Sequence, residues 1–124
     1  MSEAAPPTEV RALLEDSYEA FNRRDIDAVL AAMTADVDWP NAWEGGYVSG
    51  HDAVRDYWTR QWQDLDPEVH PVAMTVDDDG RIRVLVEQTV RPVGAAEAEA
   101  STGQVVHAYT LREGLVTRMD VQPV

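Results

Sequence analysis

Three histidines, His51, His70 and His107, are the side chains of this chain whose ordinary pKa, about 6.5, lies near neutral pH. They are therefore the first candidates for moving a proton. Their spacing is not that of metal ligands, so neither zinc nor iron is indicated. The run Asp77-Asp78-Asp79-Gly80 offers carboxylates to calcium, but no glutamate follows at the twelfth position of an EF-hand loop, and a solvated turn explains it. Ser17 has no nucleophile-elbow glycines around it. All ten basic residues are arginine, which excludes Schiff-base chemistry at a side-chain amine and a P-loop lysine. The lack of cysteine excludes thiol nucleophiles, disulfides, iron–sulfur clusters and thiolate zinc sites. Trp39, Trp43, Trp58 and Trp62 are many tryptophans for a short chain, and flat aromatic walls suit flat, apolar ligands. No cofactor is implied.

The elements that must position these groups belong to one small domain. A length of 124 residues suits a single core, with residues 1–8 as a tail and 9–124 as the domain. Ten basic against 23 acidic residues leave a net charge of −13, which disfavours nucleic acid and anionic membrane as partners. The first residues lack the basic and apolar regions of a signal peptide, and no stretch approaches the ~20 apolar residues of a membrane span. A cytoplasmic protein is expected, and the all-arginine, alanine-rich composition points to a bacterial genome of high GC content.

Val10, Leu13, Leu14 and Phe21 share one face of a helix over 9–23, with Ser17 on that face, Tyr18 on its flank and Thr8 as a cap. Asp25 caps a second helix burying Ile26, Val29, Leu30 and Met33. Alternation over 36–41 predicts a short strand stopped by Pro40, with Val37, Trp39 and Asn41 in one phase and Asp38 in the other. A third helix runs from His51 to about Asp64, with Pro67 ending that run. The period then becomes two, giving strands over 69–76, 82–91, 104–112 and 115–121, with a loop over 94–102. Helices first and a long antiparallel sheet afterwards argue an α+β fold.

That order, together with Tyr18-Glu19-Ala20-Phe21-Asn22-Arg23-Arg24-Asp25-Ile26, Gly50-His51-Asp52-Ala53-Val54-Arg55-Asp56-Tyr57-Trp58 and Val105-Val106-His107-Ala108-Tyr109, resembles the nuclear transport factor 2-like superfamily. The SnoaL-like and ketosteroid-isomerase-like branches, which include polyketide cyclases, are the most similar. The resemblance spans roughly residues 9–121. It implies a cone: a curved, mostly antiparallel sheet wrapped around three N-terminal helices, enclosing an apolar pocket and dimerising through its outer sheet face. Leu85, Val105, Tyr109 or Leu111 is expected on that outer face.

The ketosteroid isomerases of this superfamily use an aspartate base on the short strand. A helix-one tyrosine and a protonated aspartate on the penultimate strand form their oxyanion hole. Laid on this sequence, the pattern meets Ser17 beside Tyr18, His107 in place of the oxyanion aspartate, and Asp38 out of phase, so steroid isomerisation is disfavoured. What the resemblance leaves is His107 as general acid or base, with Asp38 or Asn41 as its partner. Trp39, Trp58, Tyr18, Met119 and Val121 stand at pocket positions, and Trp62 at a core position. His107 also admits a second reading, as a hydrogen-bonded core histidine between Val105 and Tyr109. Two functions follow. One is an enzyme acting on a small hydrophobic molecule by cofactor-free isomerisation, cyclisation, dehydration or ring opening. The other is a non-catalytic binding or assembly module of the same fold.

Overall fold

A computed structural model describes residues 4–42, 44–94 and 100–124. Trp43 and the centre of the expected 94–102 loop lie outside the described residues. The chain order is α1 (Thr8–Asn22), α2 (Ile26–Ala31), β1 (Met33–Pro40), β2 (Tyr47–Ser49), α3 (His51–Asp64), β3 (Leu65–Val76), β4 (Ile82–Pro92), β5 (Ser101–Arg112) and β6 (Leu115–Gln122). The six strands form one open sheet in the order β2-β1-β6-β5-β4-β3. All neighbours are antiparallel except β1 and β6, which run parallel. This is the expected α+β cone.

The local chemistry explains most boundaries. Asp25 caps α2 by accepting from the Ala28 amide at 3.2 Å. Thr8, expected to be a cap, is instead the first residue of α1, with Pro7 before it and no side-chain cap. Met33, expected in the second helix, opens β1, because α2 closes after six residues. The tail is not wholly detached: the Val76 amide donates to the Ala4 carbonyl at 2.8 Å.

Helix α3 does end before Pro67, but the strand expected from Val69 already begins at Leu65. The sheet order leaves β3 at an edge, where a residue without an N–H breaks no inner ladder, and β3 continues through both Pro67 and Pro71. A register shift between Pro71 and Ala73 marks an irregularity there. Glu113 and Gly114 join β5 to β6 with φ of 53° and 80°, the paired positive values of a two-residue hairpin turn. Gly50, before α3, has φ 88° and ψ 161°, a region essentially reserved for glycine. Its amide donates to the Val37 carbonyl at 2.8 Å and so ties α3 to β1.

The core lies between the helices and the inner sheet face. Leu14, Tyr18, Val54, Tyr57 and Trp58 come from the helices, and Val37, Val84, Val86, Tyr109 and Met119 from the strands. At its C-terminal end α1 is clamped to β3, since the Asn22 side chain donates to the Val69 carbonyl (2.8 Å) and accepts from the Val69 amide (3.0 Å). Beside it, Asp66 takes ion pairs from both Arg24 and Arg91, so the Arg91 guanidinium serves the sheet edge.

The outer sheet face differs from expectation. Val105 and Tyr109 pair with the buried Val86 and Ile82, and Val105 and Leu111 pack against the core. Of the four residues expected outside, only Leu85 stands apart from the core cluster, paired with Val106. The inward phase of β5 carries Val105, His107 and Tyr109 together, because residues two apart share a face.

Candidate functional site

His107 and Tyr109 project from the inner face of β5, and Tyr18 meets them from α1. The Tyr109 hydroxyl donates to the Tyr18 hydroxyl at 2.7 Å, and the Tyr18 oxygen lies 2.8 Å from His107 Nδ1. The Tyr18 and His107 rings lie nearly parallel, 14° apart with centroids at 5.9 Å, while Tyr109 stands edge-on to both. All three are buried. Burial disfavours the charged form of each. It drives the His107 pKa down to about 4, so the imidazole is neutral at pH 7. It pushes both tyrosines up, Tyr18 further through its proximity to Tyr109.

Two adjoining cavities meet at this group. The inner one, about 50 Å³, is lined by Leu14, Ser17, Tyr18, Met33, Tyr109 and Val116 among others. The outer one, about 470 Å³, falls in the size range of small-molecule sites. His107, Phe21, Trp39 and Val69 line both. Trp58, Met119 and Val121 add apolar wall to the outer cavity, and Asn41, Gln61 and Gln88 add amides. The loop at its mouth is held on α3, where Tyr57 Oη accepts from the Ala42 amide at 3.0 Å.

The structure brings His107, Tyr18, Trp39, Trp58, Asn41, Met119 and Val121 to these two cavities. It does not bring Asp38. Val37 is fully buried, so strand alternation turns the neighbouring Asp38 outward. There it accepts from Ser49 Oγ at 2.6 Å and lies 4.0 Å from Arg118. It lines neither cavity, so the expected Asp38–His107 pair is corrected. The carboxylate that does reach the outer cavity is Asp120. Burial pushes its carboxyl up, but hydrogen bonds from Arg118 and Tyr47 outweigh this and hold it below the usual range. The helix position is also resolved: Ser17 donates to the Leu13 carbonyl at 2.7 Å, and Tyr18 supplies the site's hydroxyl.

Tyr109 is the residue that sequence reasoning missed as a site member. From the sequence it reads as packing beside His107 or as an outer-face residue, although its position two residues along the same strand signals that both share a face. Trp62 lies outside both cavities, stacked on Trp58 at 5.9 Å with the Arg24 guanidinium 4.9 Å from its ring centre. Among the described residues, no three His, Asp or Glu side chains are grouped to hold a metal ion. None of their helices is long and apolar enough to cross a membrane.

A family model described as a SnoaL-like domain matches residues 14–119. The chain belongs to the SnoaL-like family. Solved structures agree with that membership. A nuclear transport factor 2-like protein of unknown function from Burkholderia pseudomallei is 26% identical, covering 95% of this chain and 92% of that one with a TM-score of 0.81. TerC, co-crystallised with polyporic acid, is 25% identical, with 94% and 92% covered and a TM-score of 0.80. A putative polyketide cyclase from Xanthomonas campestris, 24% identical, shares the fold at a TM-score of 0.73, with 94% and 90% covered. A comparison with curated proteins finds no match.

Proposed function

We propose that this SnoaL-like protein is an enzyme that takes a small, largely apolar organic molecule into the outer cavity. It would act next to a carbonyl group by isomerisation, cyclisation, dehydration or ring opening, without a cofactor. His107 is the polar group that meets the reacting oxygen, and Trp39, Trp58, Met119 and Val121 are walls. The observation that carries this reading is the position of His107 at the junction of two cavities, with one ring nitrogen already held by Tyr18. A similar protein, TerC, was crystallised with the small molecule polyporic acid, which supports a ligand of that size class.

One observation favours the second reading, a non-catalytic binding module. Asp120 is the one carboxylate lining the cavities among the described residues, and it is already engaged by Arg118 and Tyr47. A proton acceptor beside His107 is therefore not evident. Tryptophan fluorescence tests the cavity, because Trp39 and Trp58 line it. Titration with polyporic acid, chalcone and flavone is expected to quench emission saturably, followed by mass analysis for products. Quenching with a product that His107→Ala abolishes supports the enzyme. Quenching with unchanged ligand selects the binding module, and no quenching by any of the three removes both.

We further propose that a second copy covers the outer sheet face, where Leu85 and Val106 stand opposite each other. Light scattering is expected to report a dimer. A monomer at micromolar concentration would remove this part.

A further inference from the structure

We propose that Tyr109 and Tyr18 form a proton-ordered pair that holds His107 as its Nε2–H tautomer, so that the histidine meets a carbonyl-bearing ligand as a hydrogen-bond donor. The ligand half rests on the reading of the outer cavity given above; the tautomer half does not.

The three polar atoms in a row admit three proton arrangements. The one in which Tyr18 accepts from both neighbours leaves its own buried proton without an acceptor among the described residues. The other two keep Tyr18 as a donor within the row. In one, Tyr109 donates to Tyr18, Tyr18 donates to His107 Nδ1, and the ring proton sits on Nε2. In the other, Nδ1–H donates to Tyr18 and Tyr18 donates to Tyr109, so Tyr109 must send its own proton elsewhere. Tyr109 is 4% exposed, and its hydroxyl has no other recorded partner among the described residues. The second arrangement thus strands a buried donor, which native interiors rarely tolerate. The first strands no proton among the three groups except Nε2–H.

That last proton has somewhere to go. Tyr18 and Tyr109 line the inner cavity but not the outer one, whereas His107 lines both. Because Tyr18 holds the Nδ1 edge and lines only the inner cavity, we assign the other edge of the ring to the outer one. Among the described residues the sealed side-chain polar atoms without a partner are Trp62 Nε1 and Arg83 Nε, not His107 Nε2. A neutral imidazole in this setting donates one hydrogen bond and carries no charge, which suits a carbonyl oxygen. The depressed pKa of His107 keeps it in that state at neutral pH. Among the described residues no arginine lines either cavity. The other titratable groups lining them, again among the described residues, are Tyr18 on α1, Tyr57 on α3, Tyr47 on β2, Tyr109 on β5 and Asp120 on β6; α2, β1, β3 and β4 contribute none. Tyr18 and Tyr109 are positioning residues in this scheme, and neither needs to touch the ligand.

NMR of the whole protein labelled with ¹⁵N-histidine reads the tautomer directly and needs no ligand. The expected result is a protonated Nε2 and an unprotonated Nδ1 at His107, unchanged between pH 5 and 8. A proton on Nδ1, or a mixture in the unaltered protein, would overturn the proposal. Tyr109→Phe removes the only other acceptor for the Tyr18 proton among the described residues, so a pure Nε2–H form is expected to persist there. Tyr18→Phe instead removes the donor to Nδ1 while keeping the ring, so a mixture of tautomers is expected in a protein with an otherwise unchanged amide spectrum. A pure Nε2–H form in Tyr18→Phe, or a proton on Nδ1 in Tyr109→Phe, would show that the tyrosine pair does not set the tautomer. Chalcone and its deoxygenated analogue 1,3-diphenylpropene then separate the ligand half. Chalcone is expected to bind about tenfold tighter, the effect of roughly one good hydrogen bond. Equal affinities overturn the donor role. Binding of neither counts against the cavity as a ligand site, an outcome distinct from any tautomer result.

Discussion

Trp58→Ala is expected to lower the free energy of unfolding by about 3–5 kcal/mol, the range for removing a large aromatic side chain from a packed core. Trp58 is 1% exposed and sits where three elements meet. Phe21 of α1 packs edge-on to it at 5.4 Å, Trp39 of β1 edge-on at 5.3 Å, and Trp62 of α3 stacks on it. Aromatic pairs of these geometries add to plain area burial. Truncation leaves a void that α1, α3 and β1 share, and the neighbouring rings cannot all collapse into it. Urea unfolding would show the effect as a shifted midpoint at an unchanged slope. Trp62→Ala is the internal comparison: Trp62 is only partly buried and its Nε1 already lacks a partner, so a smaller loss is expected. A loss under about 1 kcal/mol for Trp58→Ala would show that this cluster does not hold the cone together.

Acidification from pH 7 to pH 4 is expected to cost the protein about 3 kcal/mol more than it costs His107→Gln. The sign follows from where protons bind. In the unfolded chain His107 takes up a proton near pH 6.5, whereas in the fold burial delays this to about pH 4. Between those values the unfolded state holds more protons, so stability falls as the pH falls. Above about pH 6.5 the group contributes no pH dependence, and below about pH 4 the loss is complete. The gap, at about 1.4 kcal/mol per pH unit, amounts to about 3 kcal/mol. The carboxyls of Asp36, Asp66, Asp77 and Asp120 are held below their usual range, so their contributions are lost at lower pH still. Acidification also relieves the self-repulsion of a net charge of −13, which opposes the trend and cancels in the comparison with the variant. Parallel urea midpoints for the two proteins across this range would show converging stabilities. Parallel curves would mean that His107 is not buried as a neutral group.

Much of this architecture was legible along the chain. The helical spacing of Leu14, Phe21, Val54 and Trp58 and the alternation from Ile82 to Val90 reflect burial against a core, and burial writes a period into the sequence. Turn chemistry at Asp77–Gly80 and Glu113–Gly114 was equally local, because positive φ and side-chain-to-backbone bonds act over two to four residues. The start of β3 at Leu65, ahead of Pro67, was hidden for the same reason. A proline's missing N–H is a local fact, but its consequence depends on whether the strand has a neighbour on that side, and only the sheet order decides this.

The sequence by itself determined an acidic, lysine-free and cysteine-free α+β domain, with a histidine two residues before a tyrosine on one strand face. It also determined which chemistries are impossible here, since absent side chains cannot be supplied by folding. Only the tertiary structure decided what His107 faces. Asp38 and Tyr18 are both far from His107 in the chain, and no periodicity says which of them reaches it. The pleat of β1 sends Asp38 outward to Ser49 and Arg118, while the packing of α1 on the sheet carries Tyr18 across 89 residues of sequence to His107 Nδ1. Hydrogen bonds between distant side chains depend on how elements are stacked, and stacking is a property of the whole core rather than of any segment.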